Sequence, residues 1–154
     1  MKLQNTHLNI EPDAAFGIWS NIEKRIKWDT RWIKTDVLFH EGNEWVLYYM
    51  IPKPPIPFFS QRDNLCKFWI VENYGEGKKL MIGTSVEHEK YPVKTGMFDN
   101  IRANVDIAAM LVEKNPNGAG TRLTEIRSID LGGSIPNAII NQMTTMMPKG
   151  VFQS

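Results

Sequence analysis

Residues 121–148 read TRLTEIRSIDLGGSIPNAIINQMTTMMP, a strand and a helix in one run. Its first ten residues form a strand in which Leu123, Glu125, Arg127 and Ile129 share one face. Gly132-Gly133-Ser134 ends that strand, and Ser134 is placed to cap a helix starting near Ile135-Pro136. Ile139, Ile140, Met143, Met146 and Met147 then recur at helical spacing on one side. Asn137, Asn141, Gln142 and Thr145 fall mostly elsewhere, and Pro148 limits or kinks the helix near its end. A final strand is thus followed by one long helix with an apolar stripe, and that stripe needs a surface to lie against.

The surface is upstream. Residues 102–112 alternate, with Ala103, Val105, Ile107, Ala109 and Leu111 on one face and Asn104 and Asp106 on the other. Asn115-Pro116-Asn117-Gly118 is a turn before the last strand. Residues 64–73 and 79–87 pair around Gly75-Glu76-Gly77, and residues 32–39 and 44–51 around Glu41-Gly42-Asn43. The Pro-rich residues 52–57 cannot be a central strand and mark a crossing. Residues 90–100, with Pro92 and Gly96, form a loop. Nearer the start, residues 2–10 read as a strand. Glu11-Pro12-Asp13 opens a helix whose apolar face is Ala14, Ala15, Ile18, Trp19 and Ile22, and a second helix covers residues 23–28. Trp28 and Asp29 read as structural, an aromatic anchor and a turn or cap contact. This order specifies an α+β class: one domain, 1–154, an antiparallel sheet with one long C-terminal helix against its concave face.

Composition narrows the function. Lys+Arg 18 against Asp+Glu 17 leaves a net charge of +1, which gives no overall electrostatic case for nucleic acid. Cys66 is the single cysteine, so no internal disulfide forms, and a reducing, cytoplasmic address is expected. The first residues lack the apolar core of a signal peptide, and no apolar run is long enough to span a bilayer. His7, His40 and His88 are scattered, without the spacing of a metal site. No nucleophile elbow, phosphate loop or dinucleotide fingerprint occurs. No metal, cofactor or catalytic residue is expected.

Several segments carry a resemblance. They are Lys27-Trp28-Asp29, then Phe58-Phe59-Ser60-Gln61-Arg62-Asp63, then Ser85-Val86-Glu87-His88 leading to Pro92 and Gly96. Arg102-Ala103 and Asp130-Leu131-Gly132-Gly133-Ser134-Ile135-Pro136, followed by Asn141, complete the set. In this order, across nearly the whole chain, they are similar to the steroidogenic acute regulatory protein-related lipid-transfer (START) family. The resemblance implies a helix-grip fold with a ligand tunnel between sheet and C-terminal helix. It implies binding or transfer of a sterol, phospholipid, ceramide or fatty-acyl compound. It also places residues 90–100 at the tunnel mouth. Sterol-binding relatives bury an acid–arginine pair on neighbouring strands. Counted without gaps from Arg62, those positions fall on Tyr49 and Phe68, so a phospholipid, ceramide or fatty-acyl ligand is favoured over a sterol. The family's N-terminal helix and first strands have no counterpart before Met1. The chain is therefore expected to be a short form or a fragment, with a sheet edge near residues 2–10 open to a partner or a second copy.

A curved sheet and one helix leave space between them, and an empty void of several hundred Å³ costs on the order of 10 kcal/mol. A buried acyl chain offsets that cost by about 0.8 kcal/mol per CH₂. The expected ligand contacts are Tyr49, Arg62, Phe68, Met97, Phe98, Arg102, Met110, Ile139, Met143 and Met147. Arg62 and Arg102 read either as headgroup contacts or as structural ion pairs at a sheet end. Glu125 and Arg127 read either as a polar spot in the tunnel or as a solvated pair at a bulge. Met97 and Phe98, with Lys90 and Lys94 nearby, read as a lid or a bilayer contact, or as loop core. The expected function is non-enzymatic binding of one lipid, for transfer or sensing, with transient membrane contact. The alternatives are a helix-grip enzyme built on Glu125 with His88 or Arg127, and a lipid-regulated interaction module.

Overall fold

Pro12 has no N–H to leave unsatisfied, and it opens α1 (Pro12–Ser20) with Asp13 in the first turn. Asn21 follows and caps the next helix: its Oδ1 accepts from the Lys24 N–H at 2.9 Å, starting α2 (Ile22–Arg25). The computed structural model describes residues 2–7, 9–41, 45–54 and 59–141. The second helix is shorter than the expected 23–28. The N–H groups of Trp28 and Asp29 both return to Arg25 O, at 3.2 and 2.8 Å, and tighten the chain into a turn. That turn brings Asp29 under Arg25, where the two side chains pair at 2.9 Å.

The strands are β1 (Lys2–His7), β2 (Trp32–Glu41), β3 (Trp45–Pro52), β4 (Arg62–Val71), β5 (Lys79–Ser85), β6 (Ile101–Arg102), β7 (Asn104–Lys114) and β8 (Thr121–Asp130). Seven of them lie in the order β1-β8-β7-β5-β4-β3-β2, and each neighbouring pair is antiparallel. The two-residue β6 pairs parallel with the start of β4. Local chemistry sets the turns. Gly75 and Gly77 take φ of 89° and 63° between β4 and β5. Between β7 and β8, Asn115 accepts from the Asn117 N–H and donates to Ala119 O. β1 is an edge strand, and β8 is its sheet partner among the described residues.

One expectation about β7 fails at its middle. Val105 faces Ile129 and Ile107 faces Ser128, so β7 carries one residue more than β8 there. This bulge at Asp106 shifts the alternation, because a one-residue slip moves every later side chain to the other face. Val105 is followed in the core by Ala108, Met110 and Val112, not by Ile107, Ala109 and Leu111. Asp106 steadies the bulge by accepting from Asn104 Nδ2 and Ser128 Oγ, and its carbonyl accepts from Thr84 Oγ1.

The sheet is curved and packs differently on its two faces. On one, Ala15, Phe16 and Trp19 of α1 and Ile22 of α2 join Val46, Tyr48, Met50, Cys66, Met81, Met110 and Leu123 in the main core. On the other, Leu47, Tyr49 and Leu65 are covered by Val86 and Tyr91 from the segment after β5. This is the expected α+β helix-grip frame. Residues 137–141 are helical, with the N–H groups of Ile139 and Ile140 both donating to Pro136 O. The rest of the expected C-terminal helix, with Met143, Met146 and Met147, lies outside the described residues, as do the expected hairpin turn at 42–44 and residues 55–58 of the Pro-rich crossing.

Candidate functional site

Strand alternation sends Tyr48 and Met50 of β3, and Asn64, Cys66 and Phe68 of β4, to the helix-bearing face. Met81 of β5, Met110 of β7 and Ile129 of β8 complete a wall around a cavity of about 80 Å³. Trp32 and Arg25 line it from the start of β2 and from α2. Tyr48 is fully buried and stacks on Phe68 with ring centroids 5.0 Å apart. Gly83 makes room for that ring: a Cβ there would lie 2.5 Å from Phe68 Cδ1.

Charge enters this apolar wall at two places. Arg25 is held by Asp29, which also accepts from the Arg31 backbone N–H, the Arg31 guanidinium and Trp32 Nε1. Burial alone would raise the Asp29 pKa. Hydrogen bonding to Arg31 and the nearby Arg25 charge outweigh it and hold the carboxyl well below the usual range. The second place is β8. Arg127 donates to Glu125 Oε1 at 3.0 Å, and both residues line the cavity. Glu125 is 4% exposed. The pair is therefore an interior feature and not a solvated one. Cys66 also lines the cavity, but burial pushes its thiol up to about 11, so at neutral pH it is an uncharged, apolar group.

The opposite face carries a second, wider cavity of about 330 Å³ between the sheet and residues 90–102. Tyr49 stacks on Tyr91 at 4.1 Å and donates to Asp63 Oδ2 at 2.8 Å. Burial, then this bond to Asp63, push the Tyr49 phenol up to about 12. Arg102 pairs with Asp63 at 2.7 Å and donates to Tyr91 O at 3.1 Å. Tyr91 in turn donates to Asp36. These contacts pin the base of the 90–100 segment against the sheet. The wider cavity is thus lined by groups already joined to one another. The narrower, apolar one is the candidate lipid site.

The expected ligand contacts divide accordingly. Phe68 and Met110 line the narrow cavity. Tyr49, Phe98 and Arg102 border the wide one on the other face. Tyr49 and Phe68 therefore do not face each other. Alternation puts Tyr48 and Met50 on the Phe68 side, one residue out of phase with the ungapped count. Arg62 forms no ion pair with Asp63. It donates to the carbonyls of Ser60, Leu131 and Gly132 and lies 3.9 Å from the Phe59 ring centroid, tying β4 to the chain after β8. Met97 and Phe98 are 92% and 96% exposed, so they are not loop core. Ile139 is half-buried, and Met143 and Met147 lie outside the described residues. His88 is exposed on its loop, where its ring accepts from the Lys90 N–H, and is not part of the Glu125 site. Sequence reasoning missed Arg25, Tyr48, Met50, Asn64 and Met81, among others, as wall residues. The Tyr48 and Asn64 signals were present, two residues from Met50 and four from Phe68 on the same faces.

Among the described residues, no group of histidine, cysteine and acidic side chains could hold a metal ion, and no helix is long and apolar enough to cross a membrane. Comparison with curated proteins finds no match. Solved structures do match in fold. Human StAR-related lipid transfer protein 5 superposes with a TM-score of 0.83 at 16% identity, over 99% of this chain and 71% of that one. Human STARD10 gives 0.79 at 20% identity, over 99% of this chain, which spans 61% of that structure. The lipid transfer and protein localization domain of human StarD13 (DLC2) gives 0.74 at 20%, over 97% of this chain and 71% of that one. The family model described as the START domain matches residues 11–153, and on that match the chain belongs to the START domain family.

Proposed function

We propose that this chain binds one lipid in the cavity on the helix-bearing face and carries or senses it without chemistry of its own. The observation behind this reading is a wall of Met50, Met81, Met110, Phe68 and Ile129 around a space of about 80 Å³. An apolar cavity of ~150 Å³ takes a molecule the size of benzene, and drug-sized ligands need ~300 Å³ or more. A lipid tail therefore enters by displacing side chains. Methionine suits that task, because its unbranched, polarizable chain has three rotatable bonds and repacks at low cost.

The choice among lipid classes now rests on different residues. Tyr49 and Phe68, the positions counted for the charged pair of sterol binders, lie on opposite faces of the sheet. A charged pair does line the cavity, as Glu125 and Arg127 on β8. The polar end of the ligand is assigned to that place. The catalytic alternative asks for groups that exchange protons within reach of one another. Arginine neither gives nor takes a proton, and His88 is elsewhere, so Glu125 and Arg127 are read as a binding pair.

Mass spectrometry of organic extracts from the purified chain, with uptake assays for fluorescent phospholipid, fatty acid, ceramide and sterol, tests this. A reproducible lipid at one per chain is the expected result. Extracts without lipid, together with no uptake of any probe, would remove the basis for the reading.

A further inference from the structure

One buried acceptor on the cavity wall, Glu125 Oε2, stands without a partner among the described residues. Glu125 itself is more than nine-tenths buried. A buried acceptor left unpaired costs about 1–3 kcal/mol, so such atoms are rare unless something meets them. The neighbouring cations are already engaged. Arg127 donates to the other oxygen, Oε1, at 3.0 Å, and Arg25 is paired with Asp29 at 2.9 Å. Arg25 is thus held through Asp29, which Arg31 shares, and Arg127 through Glu125 Oε1, while Oε2 is left without a partner among the described residues.

We infer that Glu125 Oε2 receives a hydrogen bond from the polar end of the ligand, so the site selects an amphiphile with a neutral hydroxyl or amide N–H donor. The inference rests on the lipid-binding reading above and narrows it. A ligand ending in a carboxylate or phosphate brings no donor and sets a second negative charge beside Glu125. In so dry a place that repulsion is weakly screened. A neutral ligand without a donor fills the same apolar wall but leaves Oε2 unmet. A hydroxyl or amide N–H satisfies it and leaves both ion pairs undisturbed.

Displacement of the neutral fluorescent probe 1-aminoanthracene from the full chain separates these cases. The competitors share one sixteen-carbon chain: 1-hexadecanol (neutral donor), methyl palmitate (neutral, no donor) and palmitate (anion). Hexadecanol is expected to bind about tenfold tighter than either of the others, the effect of one hydrogen bond to a charged acceptor. In the double variant E125M/R127M, which removes both charges together and leaves neither unpaired, the three are expected to bind within about twofold of one another. If that variant does not fold, the wild-type series still decides. Equal binding of the three, tightest binding of palmitate, or a hexadecanol preference that survives the double substitution would overturn the inference while leaving lipid binding intact. If neither the probe nor any competitor binds the wild-type chain, the lipid-binding reading itself fails.

Discussion

Asp29 has no exposed side-chain surface, and it gathers Arg25, Arg31 and Trp32 where α2 gives way to β2. Removing it leaves Arg25 buried without its counter-charge. Asp29→Ala is expected to cost about 3–5 kcal/mol, or a Tm lower by about 6–20 °C in a thermal melt at pH 7. The pH dependence has a definite sign. Its pKa is depressed in the folded chain, so its stabilisation is complete above the ordinary carboxyl value of 3.8. It is lost as pH falls from that value toward the folded pKa. Urea midpoints should therefore drop below about pH 4 in the wild type. They should drop less steeply in Asp29→Asn, which starts from a lower midpoint. The structural part played by Trp28 and Asp29 was legible in the sequence, because an aromatic and an acid beside a helix end have few other uses. Arg25 was not, because Lys24-Arg25 on a short helix reads as a solvated face. For Glu125 and Arg127 the shared face with Leu123 and Ile129 was readable. Burial was not, because it depends on what lies across the sheet.

The strands and their turns were readable to within two residues at most ends, since Gly75-Glu76-Gly77 and Asn115-Pro116-Asn117-Gly118 punctuate regular alternation. The bulge in β7 was hidden. Val105-Asp106-Ile107 reads as apolar–polar–apolar whether or not Asp106 is an extra residue, and only pairing with β8 reveals it. Between β4 and β5, Gly83 and Phe68 are register partners. A methyl at residue 83 would also meet Lys67 O at 2.8 Å, and a backbone atom cannot rotate away. Gly83→Ala is expected to lower stability by about 1–3 kcal/mol, seen as a reduced urea midpoint at unchanged slope. The 90–100 segment divides into a pinned base at Tyr91 and an apolar tip. Replacing Met97 and Phe98 together by serine should weaken partitioning onto anionic vesicles about tenfold in a sedimentation assay. Folding stability should stay within about 0.5 kcal/mol, because both side chains are free of the core.

At the scale of the molecule, one curved antiparallel sheet carries the narrow, mostly apolar cavity on one face and the 90–100 segment on the other. The α+β frame follows from the order of hairpins and from the apolar stripe that begins at Ile139. Which residues face the cavity does not, since a single bulge and an ungapped count each exchange the faces. The cavity's small size also lies beyond sequence, because it depends on how three methionines from three strands fold inward. On the proposed reading, an acyl chain displaces Met50, Met81 and Met110. The direct measurement is a methyl NMR spectrum of protein labelled at methionine Cε, titrated with a neutral acyl lipid carrying a nitroxide near its tail end. At one equivalent the Met50, Met81 and Met110 signals should broaden away while Met97, far out on its loop, changes little. Broadening confined to Met97, with the three interior methyls untouched, would show that no acyl chain enters between them.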